Sequence, residues 1–263
     1  MLEAKNLRKV FGDFVAVDDV TFTLPERGSL AVVGESGSGK TTTARMIAGL
    51  EAPSGGRIVL TGSARRPTGR GRPAERRARG GRIQMVFQDP YSSLDRRQRA
   101  GDAVAEAVRL HRPLRGDALR ARVAELLDMV GLDDRQARSL PRALSGGQRQ
   151  RVAIARALAA EPRVLILDEA IAALDVSIQA QILGLLAHIR ATTGTALLFI
   201  THDLGAVRHI SEEVLVMRAG KVVEQGPVED VLGHPRDPYT RRLIDSIPKP
   251  GWKPSRRTRP AAA

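Results

Sequence analysis

Polar and hydrophobic residues alternate along the first part of the chain, from Leu2 to Leu24. A period of two predicts β-strands, and the Phe-Gly-Asp triplet at residues 11–13 predicts a turn between two of them. The next hydrophobic run, residues 29–33, is short and continuous, as is typical of a buried strand. It leads into a glycine-rich loop, after which residues 39–50 show the spacing of a helix.

Strand and helix patterns continue to the end of the recognisable core. Further strands are predicted at 57–61, 83–87, 164–168, 196–200 and 214–217, and helices at about 98–143, 176–191 and 203–210. Because strands and helices alternate in the second half, we expect an α/β fold with a parallel sheet. The β-rich start predicts an N-terminal antiparallel β subdomain, and the helical stretch an inserted subdomain at about 98–160.

The composition excludes several classes of protein. The chain has 263 residues, 42% of them hydrophobic, which suffices for a sizeable buried core. It contains no cysteine, which excludes a disulfide framework, a thiolate metal site and a cysteine nucleophile. The N-terminal residues lack the long apolar stretch of a signal peptide, and the longest apolar runs are too short to cross a membrane. We therefore expect a soluble intracellular protein.

The net charge of +13 is concentrated in two segments. Residues 64–82 hold eight arginines and one glutamate, and residues 249–263 hold five basic residues and no acid, so the remainder is nearly neutral. Such a balance suggests nucleic acid or an anionic membrane as a partner. Only 3% of the chain is aromatic, which leaves few rings on which bases could stack. We therefore favour solvated loops near an anionic surface.

The glycine-rich loop fits the pattern G-x-x-x-x-G-K-S/T. Its residues are Gly34, Glu35, Ser36, Gly37, Ser38, Gly39, Lys40 and Thr41, followed by Thr42. Glycines allow the backbone N–H groups to surround phosphates, and the helix that follows adds its positive end. Lys40 would reach the β- and γ-phosphates and Thr41 would bind magnesium, so the loop predicts a nucleoside-triphosphate site.

Two acidic residues, Asp168 and Glu169, end the predicted strand at 164–168. A buried strand can end in an acid without any function. Downstream of a phosphate loop, however, Asp168 is placed to hold the magnesium shell and Glu169 to polarise an attacking water. This pair favours hydrolysis over transfer of the phosphate to a second substrate.

Residues 144–148, Leu-Ser-Gly-Gly-Gln, open an alanine- and arginine-rich helix. Ser145 and Gln148 form a capping-box pattern, which is typical of an ordinary helix start. Capping does not explain Gly146 and Gly147, which weaken a helix. Their bare N–H groups could bind an anion, and a γ-phosphate brought by a second subunit is the natural candidate.

Taken in order, these motifs resemble the nucleotide-binding subunit of an ABC transporter over almost the whole chain. The resemblance implies a P-loop NTPase core with ATP and Mg²⁺ as its ligands. It places Phe11, 29 residues before Lys40, on the adenine ring, although Phe11 could instead be a core residue. It also implies that Gln88 touches magnesium and reports the γ-phosphate to the membrane subunit.

The same resemblance assigns the remaining roles. Ser145, Gly146, Gly147 and Gln148 would clamp the γ-phosphate bound to a partner subunit, and Asp175 would serve cross-talk between the two subunits. His202 would contact the γ-phosphate, although it could instead cap the helix that starts near Asp203. The family usually carries proline and hydroxyl residues after the acidic pair, where this chain has Ala-Ile-Ala at residues 170–172, and this departure could weaken the cross-talk.

Three segments, residues 85–94, 176–183 and 234–243, resemble oligopeptide/dipeptide importers of bacteria, and nickel importers share the last of them. The resemblance implies an ATPase domain at 1–233 and an importer-type extension with a disordered basic tail at 234–263. It implies a second ABC subunit, two membrane permeases and, indirectly, a substrate-binding protein as partners, at the cytoplasmic face of the bacterial membrane.

Two other functions compete with import. An ABC ATPase acting on nucleic acid needs a paired cassette or a long arm, yet the 104 residues between Lys40 and Ser145 show no sustained heptads. An export ATPase would lack the importer-type segment at 234–243. We therefore expect an import ATPase without a nucleic-acid partner.

Overall fold

The structure is a computed structural model that describes residues 1–61, 80–87 and 94–246. Three sequence predictions lie outside these ranges: the role of Gln88, most of the arginine-rich segment 64–82, and the disordered tail after Pro248. Across the described ranges, no helix combines the length and the apolar character that crossing a lipid bilayer demands.

The strands form two sheets. They are β1 (Leu2–Phe11), β2 (Phe14–Leu24), β3 (Ser29–Val33), β4 (Gly55–Leu60), β5 (Ile83–Val86), β6 (Val164–Asp168), β7 (Ala196–Ile200), β8 (Glu213–Arg218) and β9 (Lys221–Pro227). The first sheet is antiparallel with the order β2-β1-β4, and Leu2 faces both Leu24 and Leu60 in its register. The predicted N-terminal antiparallel sheet is therefore confirmed.

The second sheet has six strands in the order β5-β6-β7-β3-β8-β9. Five neighbouring strands, β5, β6, β7, β3 and β8, are parallel to one another, as predicted, and β9 is an antiparallel edge strand. Every residue of β3, β6 and β7 is buried, which explains their continuous hydrophobic runs. These three strands are neighbours, so their carboxyl ends meet at one edge, where ligands of α/β sheets bind.

The helices cover both faces of this sheet and build the predicted insertion. They are α1 (Lys40–Ala48), α2 (Ala100–His111), α3 (Gly116–Met129), α4 (Asp134–Ala137), α5 (Gly146–Leu158), α6 (Val176–Thr193), α7 (Leu204–Ile210), α8 (Val228–Gly233) and α9 (Pro238–Asp245). Helices α2 to α5 lie between β5 and β6 in the chain and share one apolar cluster with the sheet. The helical stretch predicted at 98–143 is interrupted at residues 112–115, 130–133 and 138–140, and it ends in the short 3₁₀ segment Pro141–Ala143.

Strand β9 and helices α8 and α9 are absent from the sequence prediction. No residue of β9 is fully buried, so its sequence shows no hydrophobic alternation. The two helices have only six and eight residues, too few for a clear helical period. Their apolar side chains pack with Ala31 and Val33 of β3 in a third hydrophobic cluster. This cluster joins the C-terminal segment to the strand that leads to the glycine-rich loop.

Candidate functional site

The phosphate loop, residues 34–41, joins β3 to α1 and passes very close to two neighbouring backbones. A Cβ atom on Gly34 would lie 2.2 Å from the carbonyl oxygen of Met217, and one on Gly39 would lie 2.5 Å from that of Ala16. Both glycines also have positive φ angles, 147° and 99°. Only glycine fits at these two positions, because a side chain would collide with backbone that cannot move aside.

The crown of the phosphate loop, Glu35 to Gly37, is exposed, whereas Lys40 below it is buried. The Lys40 ammonium donates to the carbonyl oxygens of Gly34 and Glu35, both at 2.8 Å, and lies 3.4 Å from the Ser38 hydroxyl. Burial lowers the pKa of Lys40, and nearby carboxylates, that of Glu169 first, oppose the shift. An ammonium has three donors, so the long third contact leaves one for a phosphate oxygen.

Thr41 and Asp168 meet across 127 residues of sequence. The Thr41 hydroxyl donates to the Asp168 carboxylate at 2.9 Å, and Asp168 is almost fully buried at the end of β6. Burial raises the pKa of Asp168, and the hydrogen bond from Thr41 opposes that shift. Hydroxyl and carboxylate oxygens are ligands that Mg²⁺ prefers, and a cation here would offset the cost of the buried carboxylate. Both residues therefore fit a magnesium ion.

Glu169 follows Asp168 in a strained backbone conformation. Its φ of 48° is left-handed, which costs a non-glycine residue on the order of 1–3 kcal/mol. Its N–H donates to the carbonyl of Ile200 at 2.9 Å, which ties it to the end of β7. The Nδ1 atom of His202 lies 3.7 Å from the Glu169 carboxylate. The two predicted polar residues thus lie side by side at the edge where the strands end.

His202 is not the cap of α7. The Asp203 side chain takes that place and accepts from the N–H groups of Gly205 and Ala206. The side chain of His202 is 61% exposed, so it is available to a ligand at the surface. The alternative interpretation of His202 as a helix cap is wrong.

Phe11 is the last residue of β1 and pairs with Phe14 across the hairpin turn. It is 46% exposed, so the alternative interpretation of Phe11 as a core residue is wrong. The Lys9 ammonium lies 4.6 Å from the centre of its ring. Strand β2 brings Ala16 against Gly39, so the hairpin adjoins the phosphate loop. The contact of Phe11 with adenine stays a prediction.

The signature segment, residues 144–148, begins α5 with a complete capping box. The Gln148 N–H donates to the Ser145 hydroxyl at 3.2 Å, and the Ser145 N–H donates to the Gln148 side chain at 2.8 Å. This confirms the capping pattern, and Ser145 remains exposed to solvent. The capping box thus pairs two N–H groups at the start of the helix, those of Ser145 and Gln148, before any ligand arrives.

Packing gives the two glycines of the signature segment a structural reason that the sequence does not reveal. A Cβ atom on Gly147 would lie 2.6 Å from Cγ2 of Ile178, and one on Gly146 would lie 3.2 Å from Cδ2 of Leu174. Leu174 and Ile178 flank the exposed Asp175, at the start of α6. The signature segment and the Asp175 segment therefore form one packed unit.

The Ala-Ile-Ala departure at residues 170–172 does not leave the turn loose. Backbone hydrogen bonds from Ala172 to Glu169 and from Leu174 to Ile171, both at 3.1 Å, hold it. The Gln179 side chain also donates to the Ile171 carbonyl at 3.1 Å, and Ile171 is buried. The turn that proline would stiffen is held here by hydrogen bonds and an apolar anchor.

One contact of the phosphate loop goes unpredicted by the motifs. The Glu35 N–H donates to the Tyr239 hydroxyl at 3.0 Å, and Tyr239 is buried in α9. In the sequence, the segment 234–243 serves only as a mark of an importer subgroup. Locally, the segment shows only a tyrosine between proline and threonine, and this pattern does not predict a contact with the distant phosphate loop.

Two family models match the chain. One described as ABC transporter matches residues 17–172, and one described as oligopeptide/dipeptide transporter C-terminal region matches residues 223–262. The second match coincides with β9, α8 and α9, and continues beyond the described residues.

Curated relatives are similar over nearly the whole chain. The oligopeptide transport ATP-binding protein OppD of Mycobacterium tuberculosis is 47% identical over 95% of this chain, and the glutathione import ATP-binding protein GsiA of Escherichia coli K12 is 46% identical over 92%. The chain spans only about 40% of the length of these two relatives. A putative peptide import ATP-binding protein of Brucella abortus is 46% identical, over 89% of this chain and 70% of its own length.

Solved structures share the fold. The cassette MJ0796, in a dimeric post-hydrolysis state with ADP and Pi, matches with a TM-score of 0.76 at 30% identity, over 87% of this chain and 99% of its own. CbiO1 of Clostridium perfringens matches with a TM-score of 0.80 at 30% identity, over 89% and 90%. The predicted α/β architecture with a phosphate loop is confirmed by these matches.

Proposed function

Since the chain belongs to the ABC transporter family, we propose that it is the ATP-hydrolysing subunit of a bacterial importer for peptides. One observation carries the ATPase part: the hydrogen bond between Thr41 and Asp168, which joins the phosphate loop to the acidic end of β6. A coincidental glycine turn has no reason to meet a buried carboxylate 127 residues away. Glu169 and His202 lie beside this contact.

The phosphate loop supplies the binding of ATP. Lys40 is held at two carbonyls and directs its remaining donor toward the β- and γ-phosphates, and the backbone of the exposed crown surrounds them. Phe11 offers an exposed ring to the adenine. The full proposed set of ATP contacts is Phe11, Gly34, Glu35, Ser36, Gly37, Ser38, Gly39, Lys40, Thr41, Thr42 and Gln88.

Thr41, Asp168 and Gln88 would hold the Mg²⁺ that accompanies ATP. When bound, this ion neutralises part of the charge on the β- and γ-phosphates. Asp168 serves this role only as a carboxylate, and its raised pKa reflects how strongly burial disfavours that charge in the free protein. Binding of the cation and ionisation of Asp168 therefore support each other.

Glu169 orients the water that attacks the γ-phosphorus. The oxygen of the water bonds to phosphorus as the bond from phosphorus to the β–γ bridging oxygen breaks, and ADP leaves with that electron pair. The carboxylate of Glu169 accepts a proton from the water as general base. His202, 3.7 Å from that carboxylate, contacts the γ-phosphate from the side of β7.

A second ABC subunit completes the site. Ser145, Gly146, Gly147 and Gln148 of one chain would close on the γ-phosphate held by the phosphate loop of the other, as the N–H groups of a helix start and the exposed Ser145 favour. Asp175 is exposed between Leu174 and Ile178, which pack against the signature glycines, and it would carry information between the two nucleotides. The dimeric structure of MJ0796 supports such a dimer, and one copy of this chain already contains both proposed halves of a site.

The proposed cargo and location follow from the similarity of this chain to its curated relatives and to the C-terminal family model. OppD is named an oligopeptide transport protein, GsiA and the Brucella protein are named glutathione and peptide import proteins, and the C-terminal match is to oligopeptide/dipeptide transporters. We therefore place the chain at the cytoplasmic face of the membrane, with two permeases and, indirectly, an external substrate-binding protein. Nucleic acid is not among its partners.

Phosphate release from the purified chain with MgATP tests the proposal. We expect hydrolysis that requires magnesium and that changes only modestly with salt or with polyanions. Chains without any ATPase activity and without ATP binding would contradict the nucleotide site. A large stimulation by DNA or RNA that grows with its length would instead indicate an ATPase acting on nucleic acid.

A further inference from the structure

The hydroxyl group of Tyr239, in the C-terminal segment, contacts the phosphate loop. The Glu35 N–H donates to the Tyr239 hydroxyl at 3.0 Å, across 204 residues of sequence. Tyr239 is only 4% exposed, so water does not readily replace this contact. The neighbouring carbonyl of Glu35 accepts from the Lys40 ammonium at 2.8 Å. Glu35 is thus fixed on both sides of its Cα atom, once by Tyr239 and once by Lys40.

The position of Tyr239 is itself held by several interactions. Asp237 caps α9 and accepts from the Tyr239 N–H at 2.7 Å. The Glu224 carboxylate on β9 accepts from the N–H groups of Arg236 and Asp237, at 2.8 and 3.2 Å. Burial alone would raise the pKa of Glu224, yet these hydrogen bonds lower it overall. The start of α9 is therefore anchored to the edge of the large sheet.

The ring of Tyr239 is held separately from its hydroxyl. It lies in the apolar cluster that includes Val33, the last residue of β3, and the Arg218 guanidinium lies 5.1 Å from its centre. Packing of the ring explains why an aromatic residue is buried here. It does not require a hydroxyl, since phenylalanine would fill the same space.

We propose that Tyr239 is a positioning residue for nucleotide binding, which fixes Glu35 so that the phosphate loop and Lys40 are pre-arranged for the phosphates of ATP. This rests on the proposed function, because it assumes that the loop binds ATP. The importer-type C-terminal segment is then a structural part of the nucleotide site. A loop that is ordered before binding does not lose that freedom on binding, so its affinity for ATP is higher.

Tyr239→Phe tests the role of the hydroxyl, since it keeps the ring. Loss of one such hydrogen bond should weaken MgATP binding about 3- to 10-fold, measured by calorimetric titration. In hydrolysis, KM should rise by the same factor while kcat stays within about twofold, because Glu169 and Asp168 are untouched. A purely structural role would lower the melting temperature but leave both nucleotide constants unchanged.

Ser246→Ala is the matched control. It also removes one hydroxyl hydrogen bond at the end of α9, that to the Leu243 carbonyl at 2.7 Å, but makes no contact with the phosphate loop. This variant should bind MgATP like the wild type. Equal affinities for Tyr239→Phe and the wild type would overturn the inference, and so would an equal loss in both variants.

Hydrogen exchange provides a second test that needs no variant. In the nucleotide-free wild-type chain the Glu35 amide should exchange far more slowly than an exposed loop amide, and an unprotected amide would overturn the inference. The proposed function is tested separately by the wild type. A wild type that binds no MgATP refutes that function, whereas a wild type that binds it and a Tyr239→Phe variant that binds it equally well refute only the role of Tyr239.

Discussion

The phosphate half-site consists of residues 34–41 with Asp168, Glu169 and His202, and the signature half-site consists of residues 144–148. In the first, an ammonium and a carboxylate are buried, and desolvation lowers the pKa of Lys40 and raises that of Asp168. In the second, Ser145 is exposed, and the capping box pairs the N–H groups of Ser145 and Gln148 at the start of the helix. Desolvation of the Lys40 ammonium and the Asp168 carboxylate therefore lowers the stability of the first half-site when no ligand is bound, and Ser145 carries no such charge.

This difference indicates how the two half-sites act. The phosphate half-site has buried charged and polar groups that converge on one edge of a sheet, and we propose that it binds ATP within a single chain. In the proposed function the signature half-site offers the start of a helix and would add contacts to a phosphate that another chain presents. Substitutions in the phosphate half-site should therefore change ATP binding by one chain, whereas substitutions in the signature half-site should change hydrolysis.

The largest effect is expected for Lys40→Ala. It removes the ammonium from the phosphate half-site, and hydrogen bonds to a charged group are worth about 1.5–3 kcal/mol each. Binding of MgATP should weaken about 100-fold or more, by titration calorimetry. Lys221→Ala, which removes an exposed lysine from the start of β9, is the control and should bind normally. If Lys40→Ala binds MgATP with the affinity of the wild type, the phosphate loop is not the ATP site.

Ser145→Asp separates capping from phosphate contact at the signature half-site. Aspartate caps a helix as well as serine does, so the melting temperature should stay close to that of the wild type. Its negative charge would repel a γ-phosphate, so hydrolysis should fall by about tenfold or more while the single chain still binds ATP. Ser145→Ala, which loses the cap, should cost about 1 kcal/mol of stability. Full hydrolysis by Ser145→Asp would mean that Ser145 only caps.

Gly147→Ala tests the packed unit formed by the signature segment and α6. Helix propensity alone predicts stabilisation by up to about 1 kcal/mol, whereas the close approach of Ile178 predicts destabilisation by about 1–3 kcal/mol. We expect the second, seen as a fall in melting temperature of about 2–4 °C for each kcal/mol. Gly146→Ala should cost less, since it meets only the tip of Leu174, and a stabilised Gly147→Ala would contradict the packing.

The smallest effect is expected for Asp168→Asn in the nucleotide-free chain. The folded state binds the Asp168 proton more tightly than the unfolded state, so the free energy of unfolding falls as pH rises from about 3.8 through the raised pKa. An asparagine side chain is neutral at every pH and carries no such cost. The variant should therefore melt slightly higher than the wild type at pH 7, with the difference shrinking toward about pH 4.

Thermal scans of Asp168→Asn against pH check this sign. The exposed Asp134→Asn is the control and should show no comparable gain at pH 7. A lower melting temperature of Asp168→Asn at pH 7 would show that the ionised carboxylate stabilises the free protein, contrary to the comparison of the half-sites.

The parts of the fold that the sequence predicts are those with local patterns. Strands β3, β6 and β7 are continuous hydrophobic runs because both faces are covered, and their predicted bounds match the observed ones. Strand β9 escapes prediction, since it is an edge strand whose partly exposed residues leave no period. Short helices such as α9 form because they pack on the sheet, which is a tertiary effect.

The same distinction applies to the site. The phosphate loop and the acidic pair can be recognised in the sequence, because their backbone geometry and charge require particular residue types within a few consecutive positions. The contact of Tyr239 with Glu35 and that of Ile178 with Gly147 join distant segments, and no local pattern encodes them. The capping box of Ser145 is a local pattern too, but the packing reason for its glycines requires the structure.

The most direct test of the account is the mass of Glu169→Gln in solution with and without MgATP, by size-exclusion chromatography with light scattering. Loss of the general base should slow hydrolysis by about 10²–10⁴ while ATP stays bound through Lys40, Thr41 and Asp168. We expect a shift from the 28.4 kDa of one chain to twice that mass, only when ATP is present. Adding Ser145→Asp to this variant should abolish the shift. A Glu169→Gln chain that binds ATP and remains at 28.4 kDa would contradict the claim that two copies complete each other's sites.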